Sequence, residues 1–235
     1  MAMRATEQEA YTSILVVAAH PDDEALGCAG TLFRHRSSGA KVHVLFLSDG
    51  EMARGASDKA LVRRRLAMAE AAAEAMGGLS TRLAGFPDNR LDAVDMLDLV
   101  RAVEAEIAEH NPDLIYTHHP GDLNIDHRHA HQAVMTACRP IEGRGVREIR
   151  CFEVLSSTEW AGPGLGPVFE PTLFIGLDDA AFAAKRAAFN AYAAEMRPMP
   201  HPRSWEVISA LAVLRGATAG MPRAEAFFVS RRLVP

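Results

Sequence analysis

Short apolar runs alternate with longer amphipathic stretches along this chain. Residues 13–19 (SILVVAA) form a β-branched apolar run of strand length that stops at His20-Pro21. Residues 24–36 read as a helix that opens just after a cluster of carboxylates. Residues 41–47 (KVHVLFL) predict a second strand, ended by Ser48-Asp49-Gly50. Residues 58–76, rich in Ala, Arg, Glu, Leu and Met, predict a helix with a glycine stop at Gly77-Gly78. A short apolar segment around Leu83 precedes a turn at residues 85–89 (GFPDN). Residues 95–109 give another amphipathic helix, closed by Asn111-Pro112. Residues 114–117 (LIYT) read as a buried strand and residues 127–137 as a helix. The pattern is less regular beyond this point. Residues 151–155 and 173–177 resemble strands, and the glycine- and proline-rich residues 162–167 a loop. Residues 178–195 and 205–214 resemble helices, residues 197–203 a proline-rich connector, and residues 227–234 a last strand.

Strands alternating with helices of this length predict an α/β fold. The expectation is a Rossmann-like, mostly parallel sheet with helices on both faces. Ligands bind beyond the carboxyl ends of the strands in such sheets. The segments 20–24 and 118–127 both follow strands, so two polar clusters far apart in sequence are expected to meet at one edge of one sheet. No internal repeat, low-complexity tract or clear linker interrupts the 235 residues, which predicts one domain over residues 1–235 with a flexible N-terminus at residues 1–12.

Composition narrows the field. Apolar residues make up 49% and charged residues 23%, as in an ordinary globular chain. The formal net charge is −5 and no basic block is present, which argues against a nucleic-acid partner. The N-terminal segment lacks an apolar core, so no secretory signal is expected. No apolar run approaches the roughly 20 residues of a bilayer span, so no stable membrane anchor is expected. Cys28, Cys138 and Cys151 are too few and too irregularly spaced for a disulfide framework or a four-cysteine metal site. Small buried apolar roles in a reducing, cytoplasmic protein suit them. The composition leaves room for a homo-oligomer.

Two clusters carry chemistry. The first is His20-Pro21-Asp22-Asp23-Glu24. Three neighbouring acids are unfavourable unless a cation or hydrogen bonds compensate. An imidazole with a carboxylate suits Zn²⁺ and similar first-row metals, and a spare carboxylate is then placed to take a proton from water. Asp22 or Asp23 can equally cap the following helix, and Glu24 fits its first turn. The second cluster runs from His118-His119 through Gly121-Asp122, Asn124 and Asp126-His127 to His129 and His131; six of the ten histidines lie between His110 and His131. His127 and His131 are four apart and can share a helix face. A dinucleotide site is a poor reading: Gly27 and Gly30 follow the strand too late, and no GxGxxG opens the helix.

The first cluster, followed by Gly27 and Gly30-Thr31-Leu32, resembles the signature of the PIG-L/LmbE-like zinc-dependent de-N-acetylases. Ser48-Asp49-Gly50-Glu51 is similar to that family's turn after the second strand, and residues 116–119 through 126–128 to its second metal segment. Residues 201–203, 215–216 and 224–227 are similar to its C-terminal pattern. The resemblance implies that His20, Asp23 and His127 bind Zn²⁺ and that Asp22 is the general base. It implies a hydrolase that removes an acetyl group from the nitrogen of an N-acetylglucosaminyl-type amino sugar. Arg65, Asp88, Asn89 and Asp126 become candidates for substrate binding, with a solvated helix face for Arg65 and turn formation for Asp88 and Asn89 as the plainer readings. One position departs from the family pattern. Many members carry a histidine three residues before the last ligand, where this chain has Asn124. An amide can hydrogen-bond an oxyanion but cannot supply a proton as an acid. His119 or His118 then becomes a candidate donor, or Asp22 returns the proton it accepted. An amidase acting on a larger thiol or natural-product conjugate is the nearest alternative. A non-catalytic metal- or carbohydrate-binding protein is more remote, because a binder has no use for the spare carboxylate.

Overall fold

A computed structural model describes residues 11–50, 59–141 and 145–234. The elements in chain order are β1 (Ser13–Ala18), α1 (Asp23–Gly27), α2 (Ala29–Ser37), β2 (Lys41–Ser48), α3 (Lys59–Ala75), β3 (Ser80–Phe86), α4 (Met96–His110), β4 (Leu114–His118), α5 (Ile125–Ala137), β5 (Glu148–Phe152), β6 (Leu173–Gly176), α6 (Asp179–Ala191), α7 (Trp205–Thr218) and β7 (Ala224–Arg232). The seven strands form one sheet in the order β3-β2-β1-β4-β5-β7-β6. β1 to β5 are mutually parallel, and β7 runs antiparallel to both β5 and β6. The mostly parallel α/β expectation holds.

The apolar runs are continuous because both faces of the sheet are covered. Val16, Phe46, Tyr116 and Phe152 pack on one face with Leu32, Ala72 and Phe189 from α2, α3 and α6. Leu15, Val17, Leu45 and Ile115 pack on the other with Val103 and Ala133 from α4 and α5. Between β1 and β4 the order of the strands reverses, which opens a crevice at their carboxyl ends. Both polar clusters issue from those two ends. No helix among the described residues is long and apolar enough to cross a membrane.

Several boundaries differ from the sequence expectation. The single helix expected over residues 24–36 is two, broken at Cys28 (φ −147°, ψ 12°). A buried ion pair occupies the break. Lys185 Nζ donates to the carbonyls of Ala25 and Leu26 at the end of α1, and Glu225 accepts from the N–H groups of Gly30 and Thr31 at the start of α2. The two charges lie 2.6 Å apart. Together they satisfy the backbone groups that both helix ends leave open. Gly27 belongs to the same device, since a Cβ there would lie 2.5 Å from the Phe152 ring.

β5 begins at Glu148 rather than residue 151. Its polar residues are buried: Arg150 donates to Glu148 Oε1 (2.6 Å) and to the Tyr116 hydroxyl (2.8 Å). Gly85 and Phe86 lie in β3 rather than in a turn, and the helix expected from residue 127 starts at Ile125. α6 ends at Ala191 where residue 195 was expected, and the last strand is residues 224–232 rather than 227–234. Tyr11 and Thr12, expected within a flexible N-terminus, are anchored. Tyr11 is buried with its hydroxyl on Glu148, and the Thr12 N–H donates to Asp113 (3.0 Å). The rest of that segment (residues 1–10), Glu51 of the expected turn and Asp58 of the expected helix lie outside the described residues.

Candidate metal centre

β1 delivers His20 to the crevice, and the tight entry into α1 delivers Asp22 and Asp23. β4 delivers His118, and the loop behind it leads to α5, which carries His127 in its first turn. His20, Asp23 and His127 are buried, and each offers a ligand atom within 4.8 Å of the others. His127 Nε2 and Asp23 Oδ1 stand 3.4 Å apart. Both atoms are buried without a hydrogen-bond partner. Two donors each ~2.1 Å from a tetrahedral ion lie ~3.4 Å apart, so the spacing matches one edge of a metal site. The two atoms face each other as an ion pair when His127 is protonated, and a cation between them would satisfy both. The donor set of two imidazoles and one carboxylate fits zinc.

Each candidate ligand is oriented from behind. His127 Nδ1 lies 3.1 Å from Asp122 Oδ1. Asp122 in turn accepts from the hydroxyls of Ser157 and Thr158 and from the Asn124 N–H (2.9 Å). His20 Nε2 lies 3.1 Å from both Asp88 Oδ1 and Asp126 Oδ2. A carboxylate behind a ligating histidine sets its tautomer and ring orientation. Asp23 Oδ2 accepts from the His20 N–H (2.8 Å), leaving Oδ1 for a metal. Burial opposes charge at His127, but the Asp23 and Asp122 carboxylates win and raise its pKa to about 9. Burial disfavours the Asp23 carboxylate, yet His127 and His118 hold it well below the usual carboxylate range. Asp126 was a substrate-binding candidate, as was Asp88. Both are buried against His20, and Asp126 also accepts from the Leu91 N–H (3.0 Å).

Asp22 occupies an unusual backbone conformation for a residue with a side chain, φ 121° and ψ −23°. Such conformations cost about 1–3 kcal/mol and persist where the surroundings enforce them. Glu24 Oε2 accepts the Asp22 N–H (3.1 Å), and the Tyr192 hydroxyl donates to Glu24 Oε1 (2.7 Å). Arg203 Nη1 donates to Asp22 Oδ2 (2.8 Å) and its Nε to the Ser156 hydroxyl (2.7 Å). Burial raises the pKa of Asp22, and the Arg203 charge opposes it. Burial also pushes the Glu24 pKa up to about 8.

The remaining candidates are placed as follows. His118 is fully buried and stacked on His127 (3.9 Å between centroids), with Nε2 accepting the Ala19 N–H (2.9 Å). Burial lowers its pKa to about 4. His119 Nε2 bonds the Pro167 carbonyl (2.8 Å), and its ring lies edge-on to Phe169. His131, the partner considered for His127 on one helix face, contacts the His118 carbonyl (3.0 Å) instead. Asn124 caps α5, its Oδ1 accepting the Asp126 N–H (2.8 Å), while its amide reaches Asn89 Oδ1 (3.4 Å). Asn89 is exposed at the rim with φ 52°. Arg65 is buried rather than on a solvated face, with Nη2 on the Gly50 carbonyl (3.0 Å) and Nη1 3.1 Å from Glu195. Sequence reasoning missed Asp122, Arg203 and Tyr192 as site residues. Asp122 stood within the second cluster, and Arg203 within the C-terminal pattern. No spacing linked Arg203 to Asp22 across 181 positions.

The sequence profile of the PIG-L family, described as GlcNAc-PI de-N-acetylase, matches residues 15–138, from β1 through α5. An Escherichia coli protein described as the uncharacterized deacetylase YaiS is 28% identical over 182 residues, covering 75% of this chain and 88% of its own length. The probable N-acetyl-alpha-D-glucosaminyl L-malate deacetylase 2 of Bacillus cereus is 33% identical over 131 residues. That match covers 53% of this chain and 60% of the relative, so the chain spans less than two thirds of it. The structure of GalB, the 4-carboxy-2-hydroxymuconate hydratase of Pseudomonas putida KT2440, superposes with a TM-score of 0.74 at 21% identity, over 95% of this chain and 98% of that one. That likeness shows the fold alone, and the fold hosts more than one reaction. The profile match, by contrast, spans more than half of the 235 residues and contains both clusters, and by it this protein belongs to the PIG-L family of de-N-acetylases, hydrolases of amide bonds.

Proposed function

We propose that the chain removes the acetyl group from the nitrogen of an N-acetylated amino sugar, with zinc held by His20, Asp23 and His127 and with Asp22 as general base. The observation that carries this reading is the pair of buried, unbonded atoms Asp23 Oδ1 and His127 Nε2, 3.4 Å apart beside His20. The amino-sugar half is supported by the Bacillus cereus relative, described as acting on an N-acetylglucosaminyl malate.

A zinc ion on these donors supplies Lewis-acid polarisation of the acetamide carbonyl and lowers the pKa of water towards about 7. The protein supplies the proton chemistry. Asp22 Oδ2, fixed by Arg203, accepts a proton from the attacking water. Asn124 is turned by its cap so that its Nδ2 faces the Asn89 side of the rim, where it can donate to the developing oxyanion. His119 is committed to the Pro167 carbonyl and His118 is sealed behind His127, so we assign return of the proton to the leaving amine to Asp22. Asn89 is the rim group offered to sugar hydroxyls.

Elemental analysis and a primary-amine release assay on N-acetylglucosamine derivatives test the proposal together. Wild type is expected to hold about one zinc per chain and to release amine. His127→Ala is expected to lose both. Asp22→Asn is expected to keep zinc and lose about 10²- to 10⁴-fold in kcat. A fully active Asp22→Asn protein refutes the base assignment. Failure to take up added zinc refutes the metal site.

A further inference from the structure

We infer that Glu159 is a positioning residue for both halves of the centre: it holds the turn of residues 156–159, whose hydroxyls set the base Asp22 and the ligand His127. This rests on the roles proposed above for those two residues. The turn follows β5 and opens a one-turn helix, Thr158–Trp160, with Ser157 at its N-cap. A serine there ordinarily spends its hydroxyl on the open N–H groups of the helix. Ser157 does not, and the Glu159 carboxylate reaches back to the backbone instead. Its Oε1 accepts the Ser156 N–H (2.6 Å) and its Oε2 the Ser157 N–H (3.2 Å). The bridge spans Ser156, whose φ of 68° is uncommon for a residue with a side chain. It thereby closes a turn that the backbone of Ser156 does not favour.

With the backbone served by Glu159, the hydroxyls are free to act in the crevice. Ser156 Oγ accepts from Arg203 Nε (2.7 Å), and Arg203 Nη1 donates to Asp22 Oδ2 (2.8 Å). Ser157 Oγ donates to Asp122 Oδ1. Thr158 Oγ1 accepts the Val154 N–H (2.8 Å), so its single hydrogen is left for Asp122 Oδ2 (2.6 Å). The Asn124 N–H adds a third donor to Asp122 (2.9 Å). Asp122 therefore meets His127 Nδ1, 3.1 Å away, as an acceptor. That favours the hydrogen on Nδ1 and leaves the Nε2 lone pair for a metal. One short turn thus sets two carboxylates that reach the crevice from different strand ends. Ser157 and Thr158 are buried, whereas Glu159 is exposed. Its influence on Asp22 and on His127 passes through the turn.

The test compares wild type with Glu159→Ala and with Glu159→Gln, whose amide oxygen still accepts. Amine release from N-acetylglucosamine gives kcat and KM, and competition with a chelator gives zinc affinity. Glu159→Ala is expected to lower kcat about tenfold with KM within about twofold, and to weaken zinc about fivefold. Glu159→Gln is expected to recover most of both. In an Asp22→Asn background Glu159→Ala is expected to cost no further kcat, and in an Asp122→Ala background no further zinc affinity. Wild-type kcat and zinc affinity in Glu159→Ala overturn the inference, and so do losses that persist in full in both backgrounds. The zinc comparison stands even if no amine is released, in which case the proposed reaction fails by itself. If wild type takes up no zinc, the metal reading fails and the crystal structure of Glu159→Ala decides. Arg203 parted from Asp22 and Ser157 from Asp122 support the inference; both contacts intact overturn it.

Discussion

At the scale of single residues, the site is built from side chains held where they would not rest by themselves. Asp22 has a φ that only glycine adopts freely, and Glu24 and Tyr192 keep it there. Strain and charge can be separated by comparing two substitutions. Asp22→Gly and Asp22→Ala both remove the carboxylate, but only Gly relieves the backbone. Asp22→Gly is expected to be about 1 kcal/mol more stable than Asp22→Ala in denaturant unfolding. Equal stabilities would show that the backbone carries no strain. Asp122 contributes at one remove, through His127 Nδ1. Asp122→Ala is expected to weaken zinc affinity about 10- to 100-fold in competition with a chelator. Unaltered affinity would mean that packing alone orients the imidazole. The residues proposed as ligands stood out in the sequence because their types are distinctive and they follow strands. Asp122 was not, since a carboxylate in a Gly/Pro loop reads equally as a turn former.

The elements show why helix boundaries were misread. The break between α1 and α2 is invisible in residues 24–36, because the groups that stabilise it, Lys185 and Glu225, arrive from α6 and β7. Removing one partner strands the other charge. Lys185→Met is expected to cost about 3–5 kcal/mol, measured by denaturant unfolding. Adding Glu225→Gln should recover part of that loss, since the amide oxygen still accepts one helix N–H. A double variant no better than the single would show that Lys185 acts through packing instead. β5 was misplaced for a related reason. Glu148 and Arg150 are polar in sequence but neutralise each other under Tyr11 and Tyr116, so polarity ceased to signal exposure.

For the whole molecule, metal binding and folding are expected to be linked. Zinc that binds only the folded chain adds about 2.7 kcal/mol when its free concentration is 100 times Kd. The pH dependence follows from His127. Its pKa of about 9 lies above the ordinary histidine value, so the metal-free folded protein holds that proton at pH 7 and must release it on binding. His20 is also held well above the ordinary histidine value by its carboxylate neighbours, so affinity is expected to rise with pH, by up to about a hundredfold per unit while both imidazoles are protonated, with the His127 contribution levelling off near pH 9. Calorimetry in buffers of different ionisation enthalpy checks this by counting the protons released. No proton release at pH 7 would contradict the assignment of His127 as a ligand.

The parallel core was determined locally. Both faces of β1, β2 and β4 are buried, so their apolar runs carry no alternation and point to a covered sheet without knowledge of any partner. The positions of His20 and His127 at strand and helix ends follow from the same pattern, and so does their meeting at one crevice. Contacts between distant segments depended on the tertiary structure: Arg203 on Asp22, Tyr192 on Glu24, Asp88 and Asp126 behind His20, and Ser157 and Thr158 on Asp122. The reason is physical. Periodicity records which face of an element is apolar, whereas a hydrogen bond between residues 181 positions apart leaves no periodic trace and exists only once the sheet has brought its strand ends together.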